Sequence, residues 1–183
     1  MARFSRHTDR GAFEEVVRRW DRRVLSFLAK TSGDLEAAED LRQEVFIRVY
    51  RYGRGYDPKY AFPTWLFKIA ANVLKTWQAK QGRRRDVDLG PDAIGAMVDP
   101  ADGRLNPREE AARNESASMV RSAIARLRLE DRELLLYRFD LDMSYREISL
   151  IRDAPETTIK SQMYALIERL RGEFNHSEII ERT

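Results

Sequence analysis

Apolar residues recur along this chain at every third or fourth position, and no segment shows the period of two that is typical of a strand. The first apolar stripe runs from Ala12 to about Thr31, after which Asp34 is placed to cap a second helix from Leu35 to about Tyr52. A third helix is predicted to begin at Pro63 or Thr64. The pattern therefore predicts an all-α protein.

The second and third helices each have an apolar face. In the second helix this face is expected to hold Leu35, Ala38, Leu41, Val45 and Val49, and in the third Leu66, Ile69, Ala70, Val73 and Trp77. The second helix also carries Phe46, Ile47 and Tyr50, which is more apolar surface than one packed seam needs. Two interpretations stay open: the helix is packed on every side, or it docks on a protein partner.

The composition changes between Asp86 and Gly103, where the sequence is rich in Asp, Gly and Pro and has no basic residue. Such a stretch is typical of an extended linker between two domains, and a surface loop within one domain is the alternative. Helical periodicity returns over 108–127 and 130–139. The predicted organisation is a domain over 8–85, a linker over 86–105, a second domain over 106–172 and a tail over 173–183.

The second domain ends in two short helices joined by a tight turn. Ser144 and Glu147 have capping-box spacing at the start of the first helix, residues 152–155 form the turn, and Gly172 is expected to end the second helix. This arrangement is typical of a helix-turn-helix, whose second helix enters the DNA major groove. A plain pair of packed helices is the alternative. The outward face of the last helix carries groups that read base edges and phosphates, namely Thr157, Thr158, Lys160, Ser161, Gln162, Tyr164 and Arg169.

Charged residues make up 34% of the chain, yet the formal net charge is only +3, so the distribution of charge matters more than its sum. The chain has no cysteine, and its two histidines, His7 and His176, lie near the termini. We therefore expect no disulfide, no metal, no cofactor and no histidine-based catalytic residue. No run approaches the roughly 18 apolar residues of a membrane span, and the N-terminus does not look like a signal peptide, so a cytoplasmic protein is expected.

Aromatic and basic residues coincide in one part of the chain. The loop between Gly53 and Pro63 carries Tyr56, Tyr60 and Phe62, and no acidic residue occurs from Pro58 to Arg85. Aromatic rings stack on unpaired bases for roughly 1–3 kcal/mol per base, while Lys and Arg hold the phosphates. The stretch therefore favours a surface for single-stranded DNA over the alternative of core aromatics beside a solvated basic face.

Three segments carry the motifs of a known family: AEDLRQEVFIRVYR, AFPTWLFKIAANVLKTWQAKQGRRR and SYREISLIRDAPETTIKSQMYALIERLR. In order and spacing they resemble the bacterial sigma-70 family, and within it the extracytoplasmic-function, sigma-E-like group. The resemblance covers nearly the whole chain. It implies two helical domains, sigma domain 2 followed by sigma domain 4, in an alternative sigma factor that is not an enzyme.

The resemblance also implies partners and sites. Core RNA polymerase would bind the second helix through Asp40, Leu41, Gln43, Glu44 and Phe46. Single-stranded minus-10 promoter DNA would meet Tyr56, Tyr60, Phe62, Trp65, Lys68, Asn72, Lys75 and Arg83. Duplex minus-35 DNA would meet the outward face of the last helix. An anti-sigma factor is the expected regulator, as is usual in this group.

This chain departs from the family pattern around the turn. Members usually have a small residue where Asp153 stands, an apolar residue where Arg152 stands, and a basic residue where Gln162 stands. Aspartate tolerates left-handed backbone geometry, so the turn is still expected to form. Two other functions stay open: a helix-turn-helix regulator that binds duplex DNA alone, and a helical adaptor that binds only protein. The aromatic loop and the acidic linker argue against the simple regulator.

Overall fold

The structure is a computed structural model that describes residues 10–81, 123–124 and 126–180. Within these residues the regular elements are all helical, which confirms the all-α prediction. The elements are α1 (Arg10–Ser32), α2 (Leu35–Tyr52), a 3-10 turn (Gly53–Gly55), α3 (Phe62–Gln81), α4 (Leu129–Leu135), a π-helical turn (Leu136–Asp140), α5 (Tyr145–Arg152) and α6 (Glu156–Ile180). The predicted linker, and most of the helix predicted over 108–127, lie outside the described residues.

Local hydrogen bonds set the starts of two helices as the sequence predicts. The Asp34 carboxylate accepts a hydrogen bond from the Ala37 amide at 3.0 Å and caps α2. At the start of α5 the Ser144 hydroxyl accepts from the Glu147 amide at 3.3 Å, and the Glu147 carboxylate accepts from the Ser144 amide at 2.8 Å. Both predicted caps are therefore confirmed.

The turn between α5 and α6 forms with Asp153 at its centre. Asp153 has φ 50° and ψ 43°, which is the left-handed conformation, and it closes the C-terminus of α5. Its amide donates to a carbonyl of the last turn of that helix. Aspartate therefore fills a position that usually takes a small residue, as expected from its tolerance of this geometry.

The core of the first three helices follows the predicted apolar faces with one clear exception. Leu66, Ala70 and Val73 of α3 are buried as predicted, in one core with Val24 of α1 and Val45 of α2. Leu35, predicted to be buried, is 48% exposed. It is the first residue of α2, and helical periodicity does not show where a neighbouring helix stops covering a face.

The N-terminal helices α1–α3 and the C-terminal helices α4–α6 pack against each other and share one hydrophobic core. Tyr137 of the π-helical turn is fully buried and stacks on Phe27 of α1. The Arg132 guanidinium crosses the same boundary and donates to the carbonyl of Thr31 at 2.7 Å. The sequence indicates two helical units, and it contains no signal for this contact between them.

The prediction that Gly172 ends the last helix is wrong. Helix α6 continues through Gly172 to Ile180. A glycine inside a helix costs only about 1 kcal/mol relative to alanine. Flanking residues of good helix propensity offset such a cost, so one glycine is a weak stop signal.

Candidate nucleic-acid interface

The loop between α2 and α3 is built on three packed aromatic rings. Tyr56 and Phe62 are 7% and 6% exposed, and Trp65 is half-buried beside them. The centroid of the Tyr56 ring lies 5.6 Å from that of Phe62 and 5.3 Å from that of Trp65. The Tyr56 hydroxyl also donates to the carbonyl of Tyr60 at 2.8 Å. These rings fix the path of the loop and leave little of Tyr56 or Phe62 open to a base.

Tyr56 keeps its hydrogen bond over a wide pH range. Burial, and secondly the nearby Asp57 carboxylate, raise the pKa of the Tyr56 hydroxyl above its ordinary value. The hydroxyl therefore stays protonated at neutral pH and remains a donor to the loop backbone.

Tyr60 is the exposed aromatic residue of this loop, at 41% exposure. Lys59 Nζ lies 5.0 Å from the centroid of its ring and 2.7 Å from Asp57 Oδ2. The hydrogen bond from the Lys59 side chain lowers the pKa of the Asp57 carboxyl, so this carboxylate stays charged and holds the ammonium in place. The loop thus presents an open ring with a positive charge beside it.

The predicted minus-10 residues of α3 do not form one open surface. Asn72 and Lys75 are exposed, whereas Lys68 is half-buried. Lys68 Nζ lies 2.6 Å from Asp153 Oδ1 and donates to the Leu150 carbonyl at 2.9 Å. Arg83 lies outside the described residues.

The predicted minus-35 residues of α6 are all exposed, and Tyr164 is the most open at 73%. Lys160 Nζ lies 2.7 Å from Glu156 Oε1 within the same helix. Arg169 Nη2 lies 2.7 Å from Asp131 Oδ2 of α4, which is farther along the bundle. The outer side of α6 therefore carries all the residues predicted to bind minus-35 DNA, namely Thr157, Thr158, Lys160, Ser161, Gln162, Tyr164 and Arg169.

Two basic residues flank a tyrosine that the sequence did not single out. The ring centroid of Tyr145, the first residue of α5, lies 5.5 Å from Arg138 Cζ and 5.8 Å from Lys160 Nζ. Arg138 and Lys160 lie 22 positions apart in the sequence, so helical periodicity gives no signal for this grouping. The structure thereby adds Arg138 and Tyr145 to the surroundings of Lys160.

Arg152, the basic residue at the end of α5, has a structural role. Its guanidinium donates to the Glu130 carbonyl at 2.8 Å and so ties the end of α5 to the start of α4. This contact explains how a basic side chain is accommodated there. The Gln162 side chain is exposed.

The predicted polymerase-binding residues of α2 divide between surface and core. Asp40 and Gln43 are exposed, whereas Leu41 and Phe46 are 6% and 7% exposed. Glu44 is half-buried, with its Oε1 2.6 Å from Arg48 Nε. A cleft between α2 and α3 is lined by Asp34, Asp40, Leu41, Glu44, Trp77 and Lys80, among others.

The outer face of α2 carries exposed apolar side chains next to the buried ones. Ile47 is 51% exposed and Tyr50 is 50% exposed, and the ring of Tyr50 makes an edge contact with Phe13 of α1. Of the two interpretations of this helix, the structure packs Phe46 and leaves Ile47 and Tyr50 open. Full packing of the helix therefore does not account for Ile47 and Tyr50, and a docking face does not account for Phe46.

Within the described residues, no group of three or more His, Asp or Glu side chains is arranged to hold a metal ion. No helix in the same part of the chain has the length and apolar character needed to cross a membrane.

Two family models match the chain in the regions just described. Sigma-70 region 2 matches residues 16–84, and Sigma-70, region 4 matches residues 117–170. The first match covers the aromatic loop and α3, and the second covers the helix-turn-helix. Together they define a transcription initiation factor with two sigma regions.

Curated relatives give the group within this class. The ECF RNA polymerase sigma-E factor of Escherichia coli (strain K12) is 34% identical over 169 residues, which span 88% of this chain and 86% of that protein. RNA polymerase sigma-H factor of Pseudomonas aeruginosa is 28% identical over 166 residues, with 88% and 86% covered. The chain belongs to the sigma-70 family, in its extracytoplasmic-function group.

Solved structures have the same fold. The sigma factor RpoE from Bartonella quintana, in complex with the anti-sigma factor NepR, superposes with a TM-score of 0.66 at 19% identity, covering 90% of this chain and 97% of that one. CnrH, in complex with the cytosolic domain of CnrY, gives a TM-score of 0.61 at 20% identity, with 92% and 90% covered.

Proposed function

We propose that this chain is an alternative sigma factor that binds core RNA polymerase and directs transcription initiation at its own set of promoters. The observation that carries the proposal is the presence, on one chain, of an exposed loop tyrosine, Tyr60, beside a basic helix and of an exposed helix-turn-helix face. Such a factor performs no bond chemistry. It supplies binding energy to promoter recognition and strand opening, and it works in the cytoplasm, where its polymerase acts.

The minus-10 element is read and melted by the loop and α3. An unstacked base stacks on Tyr60, whose ring is open and has the Lys59 ammonium beside it. Asn72 and Lys75 face solvent and contact the strand farther along α3. Tyr56, Phe62 and Trp65 act mainly by holding the loop, because they pack on one another. Lys68 and Arg83 are further proposed contacts of the minus-10 strand.

The minus-35 element is read by α6 in the major groove. The exposed groups from Thr157 to Tyr164 supply hydroxyl, amide and ammonium contacts at the start of that helix. Arg138 and Tyr145 lie beside Lys160 and add groups that contact the DNA backbone. Gln162, which stands where a basic residue is usual, contributes a neutral amide to this surface.

Core polymerase docks on α2. Asp40, Gln43 and Glu44 supply the polar contacts of the proposed interface. Ile47 and Tyr50 add exposed apolar surface, and such surface is typical of a protein-binding site. Leu41 and Phe46 support this helix from the core.

An anti-sigma factor controls the chain in this proposal. The support is the fold that it shares with RpoE from Bartonella quintana, whose structure contains the anti-sigma factor NepR. The stand-alone regulator is not favoured, because a sigma region 2 outside the helix-turn-helix has no place in such a protein.

Run-off transcription with purified core polymerase tests the proposal. Transcripts made on overexpression identify candidate promoters, and the purified chain is expected to start transcription at them in vitro. Absence of promoter-dependent transcripts together with absence of binding to core polymerase would contradict it. Tight, sequence-specific duplex binding without polymerase would instead support the stand-alone regulator.

A further inference from the structure

Two patches of contacts join the N-terminal helices to the C-terminal helices. In the first patch, Lys30 Nζ of α1 lies 2.5 Å from Asp140 Oδ1, at the end of the π-helical turn. Beside it, the buried Arg132 side chain donates to the Thr31 carbonyl. Neither pair includes a residue assigned above to DNA binding.

The second patch lies between α3 and the helix-turn-helix. Lys68 of α3 reaches two acceptors of the turn, the Leu150 carbonyl at 2.9 Å and the Asp153 carboxylate at 2.6 Å. One helical turn earlier, Thr64 Oγ1 lies 3.4 Å from Glu147 Oε1 of α5. Thr64 is only 3% exposed, and α3 packs on α5. The face of α3 that carries Thr64 and Lys68 is therefore covered by α5.

The acceptors around Lys68 resemble those of a phosphate. An ammonium bound to a phosphodiester also meets anionic and partially charged oxygens at hydrogen-bond distance. Because the turn supplies such oxygens from within the chain, a DNA strand and Asp153 compete for the same ammonium.

We propose that the turn of the helix-turn-helix is an internal ligand of the minus-10 helix, with Asp153 in the place of a DNA phosphate on Lys68. In the free chain Lys68 is then withheld from minus-10 DNA, while Tyr60, Asn72, Lys75 and the minus-35 face stay exposed. This inference rests on the proposed function only for the assignment of α3 to the minus-10 strand.

Promoter geometry requires the closed form to open. Elements centred near minus-10 and minus-35 lie about 25 base pairs apart, which is roughly 85 Å along B-form DNA at about 3.4 Å per pair. In the closed form α3 touches α5 directly. The two reading helices therefore separate before both elements are bound, and this separation frees Lys68.

The ion pair between Lys68 and Asp153 is readily broken. The Lys68 and Asp153 side chains are 38% and 75% exposed, so water and salt reach the ion pair. Pairs this exposed contribute little, and a polyanion displaces them readily. Asp153 is held at its position by its left-handed backbone rather than by burial of its side chain.

Zero-length cross-linking tests the closed form directly. A carbodiimide condenses an amine and a carboxylate with loss of water only where the two are in contact. In the monomer of the full chain we expect linked peptides for Lys68–Asp153 and for Lys30–Asp140. The Lys160–Glu156 pair, 2.7 Å apart within α6, is the internal control. Recovery of the control link without the Lys68–Asp153 link would overturn the proposal, whether or not Lys30 and Asp140 are linked.

A matched pair of variants tests whether Asp153 withholds Lys68 from single-stranded DNA. Asp153→Asn keeps a residue that tolerates φ 50° and removes the charge that holds Lys68. Asp142→Asn makes the same change at φ 52°, at an exposed position away from the contact with α3. The probe is a labelled mixed-sequence single strand of about 12 nucleotides, followed by fluorescence anisotropy.

D153N is expected to bind this strand about two- to fivefold more tightly than the natural chain, the range for one partly exposed ion pair. Its plot of log affinity against log salt should steepen by about 0.7, since one more phosphate contact is free to form. D142N should match the natural chain. If D153N and D142N bind the strand with equal affinity and equal salt dependence, Asp153 does not withhold Lys68 from DNA.

Run-off transcription separates this inference from the proposed function. One outcome is that the cross-links form and D153N binds the strand more tightly, but no promoter-dependent transcript is made. This outcome would support the closed form and contradict the sigma-factor proposal. Transcripts from a chain that gives neither cross-link would support the sigma factor and overturn the closed form.

Discussion

Tyr137 of the π-helical turn stacks on Phe27 of α1, with ring centroids 5.1 Å apart and ring planes 27° from parallel. Both residues are fully buried, and 110 positions of sequence separate them. The stack is the aromatic centre of the contact between the N-terminal and C-terminal helices. The Tyr137 hydroxyl is buried with it and has no hydrogen-bond partner among the described groups.

Replacing Tyr137 with Phe is expected to stabilise the protein by about 1 kcal/mol, because a buried hydroxyl without a partner costs roughly 1–3 kcal/mol. The stacked ring is kept. Urea unfolding followed by circular dichroism measures the change. Tyr164→Phe, at a site that is 73% exposed, is the control and should leave the free energy of unfolding unchanged. A loss of stability in Y137F would show that the hydroxyl has a partner.

Glu133 of α4 is expected to make stability fall as the pH rises. Burial raises the pKa of this carboxyl from 4.5 to about 7, against an opposing effect of Arg152 and with a smaller contribution from Glu130. Between these values the folded state binds more protons than the unfolded state, so the free energy of unfolding decreases with increasing pH. The total decrease is at most about 3 kcal/mol, at about 1.36 kcal/mol for each pKa unit.

Glu133→Gln removes this dependence. At about pH 8 the variant should exceed the natural protein in the free energy of unfolding, and below about pH 4.5 the two should converge. Urea unfolding over a series of pH values measures the difference. Glu39→Gln, on the exposed side of α2, is the control and should retain the natural slope. An E133Q curve parallel to that of the natural protein would show that Glu133 titrates normally.

Tyr60→Ala is expected to impair strand opening and to leave folding intact. The ring is exposed, so its loss removes stacking worth about 1–3 kcal/mol per base and little packing. The open-complex population should fall by about five- to 150-fold, as measured by permanganate reactivity of the melted region. Tyr52→Ala, another exposed tyrosine at 55%, is the matched control outside the loop. Equal reactivity in both variants would exclude the stacking role.

Lys160→Ala is expected to weaken minus-35 binding in a salt-dependent manner. If its ammonium contacts one phosphate, the slope of log affinity against log salt should fall by about 0.9. Holoenzyme binding to a promoter identified by transcript sequencing gives this slope. Arg10→Ala is the control, because Arg10 forms a similar i,i+4 pair with Glu14 at 3.1 Å but lies at the far end of the chain. An unchanged slope for K160A would rule out the phosphate contact.

Neighbouring apolar residues of α2 are expected to respond differently to truncation. Ile47→Ala should weaken binding to core polymerase by roughly fivefold or more, since about 1 kcal/mol of apolar burial is lost, and should leave stability unchanged. Phe46→Ala should lower the free energy of unfolding by about 3–5 kcal/mol, because this ring is buried. Affinity for core polymerase and urea unfolding, measured on both variants, separate the two effects. An I47A variant that binds core polymerase as tightly as the natural protein would exclude Ile47 from the interface.

Local signals in the sequence are enough to place the main helices and the turn. The Asp34 cap, the Ser144–Glu147 capping box and the turn at Asp153 depend on groups a few residues apart, so the sequence specifies them directly. Apolar periodicity likewise selects the buried faces around Val24 and Val45. It does not select between Phe46 and Ile47, which are adjacent and equally apolar in pattern, nor does it show that Leu35 lies beyond the cover of its neighbours.

The sequence by itself therefore determined the helical architecture, the aromatic loop, the helix-turn-helix and the family motifs. Only the tertiary structure decided that Tyr60 is the open ring of the loop and that Lys68 is bound by Asp153, 85 positions away. The physical reason is the range of the interactions. Caps and periodic faces arise between near neighbours in the chain, whereas the partner of Lys68 depends on how whole helices are placed against one another.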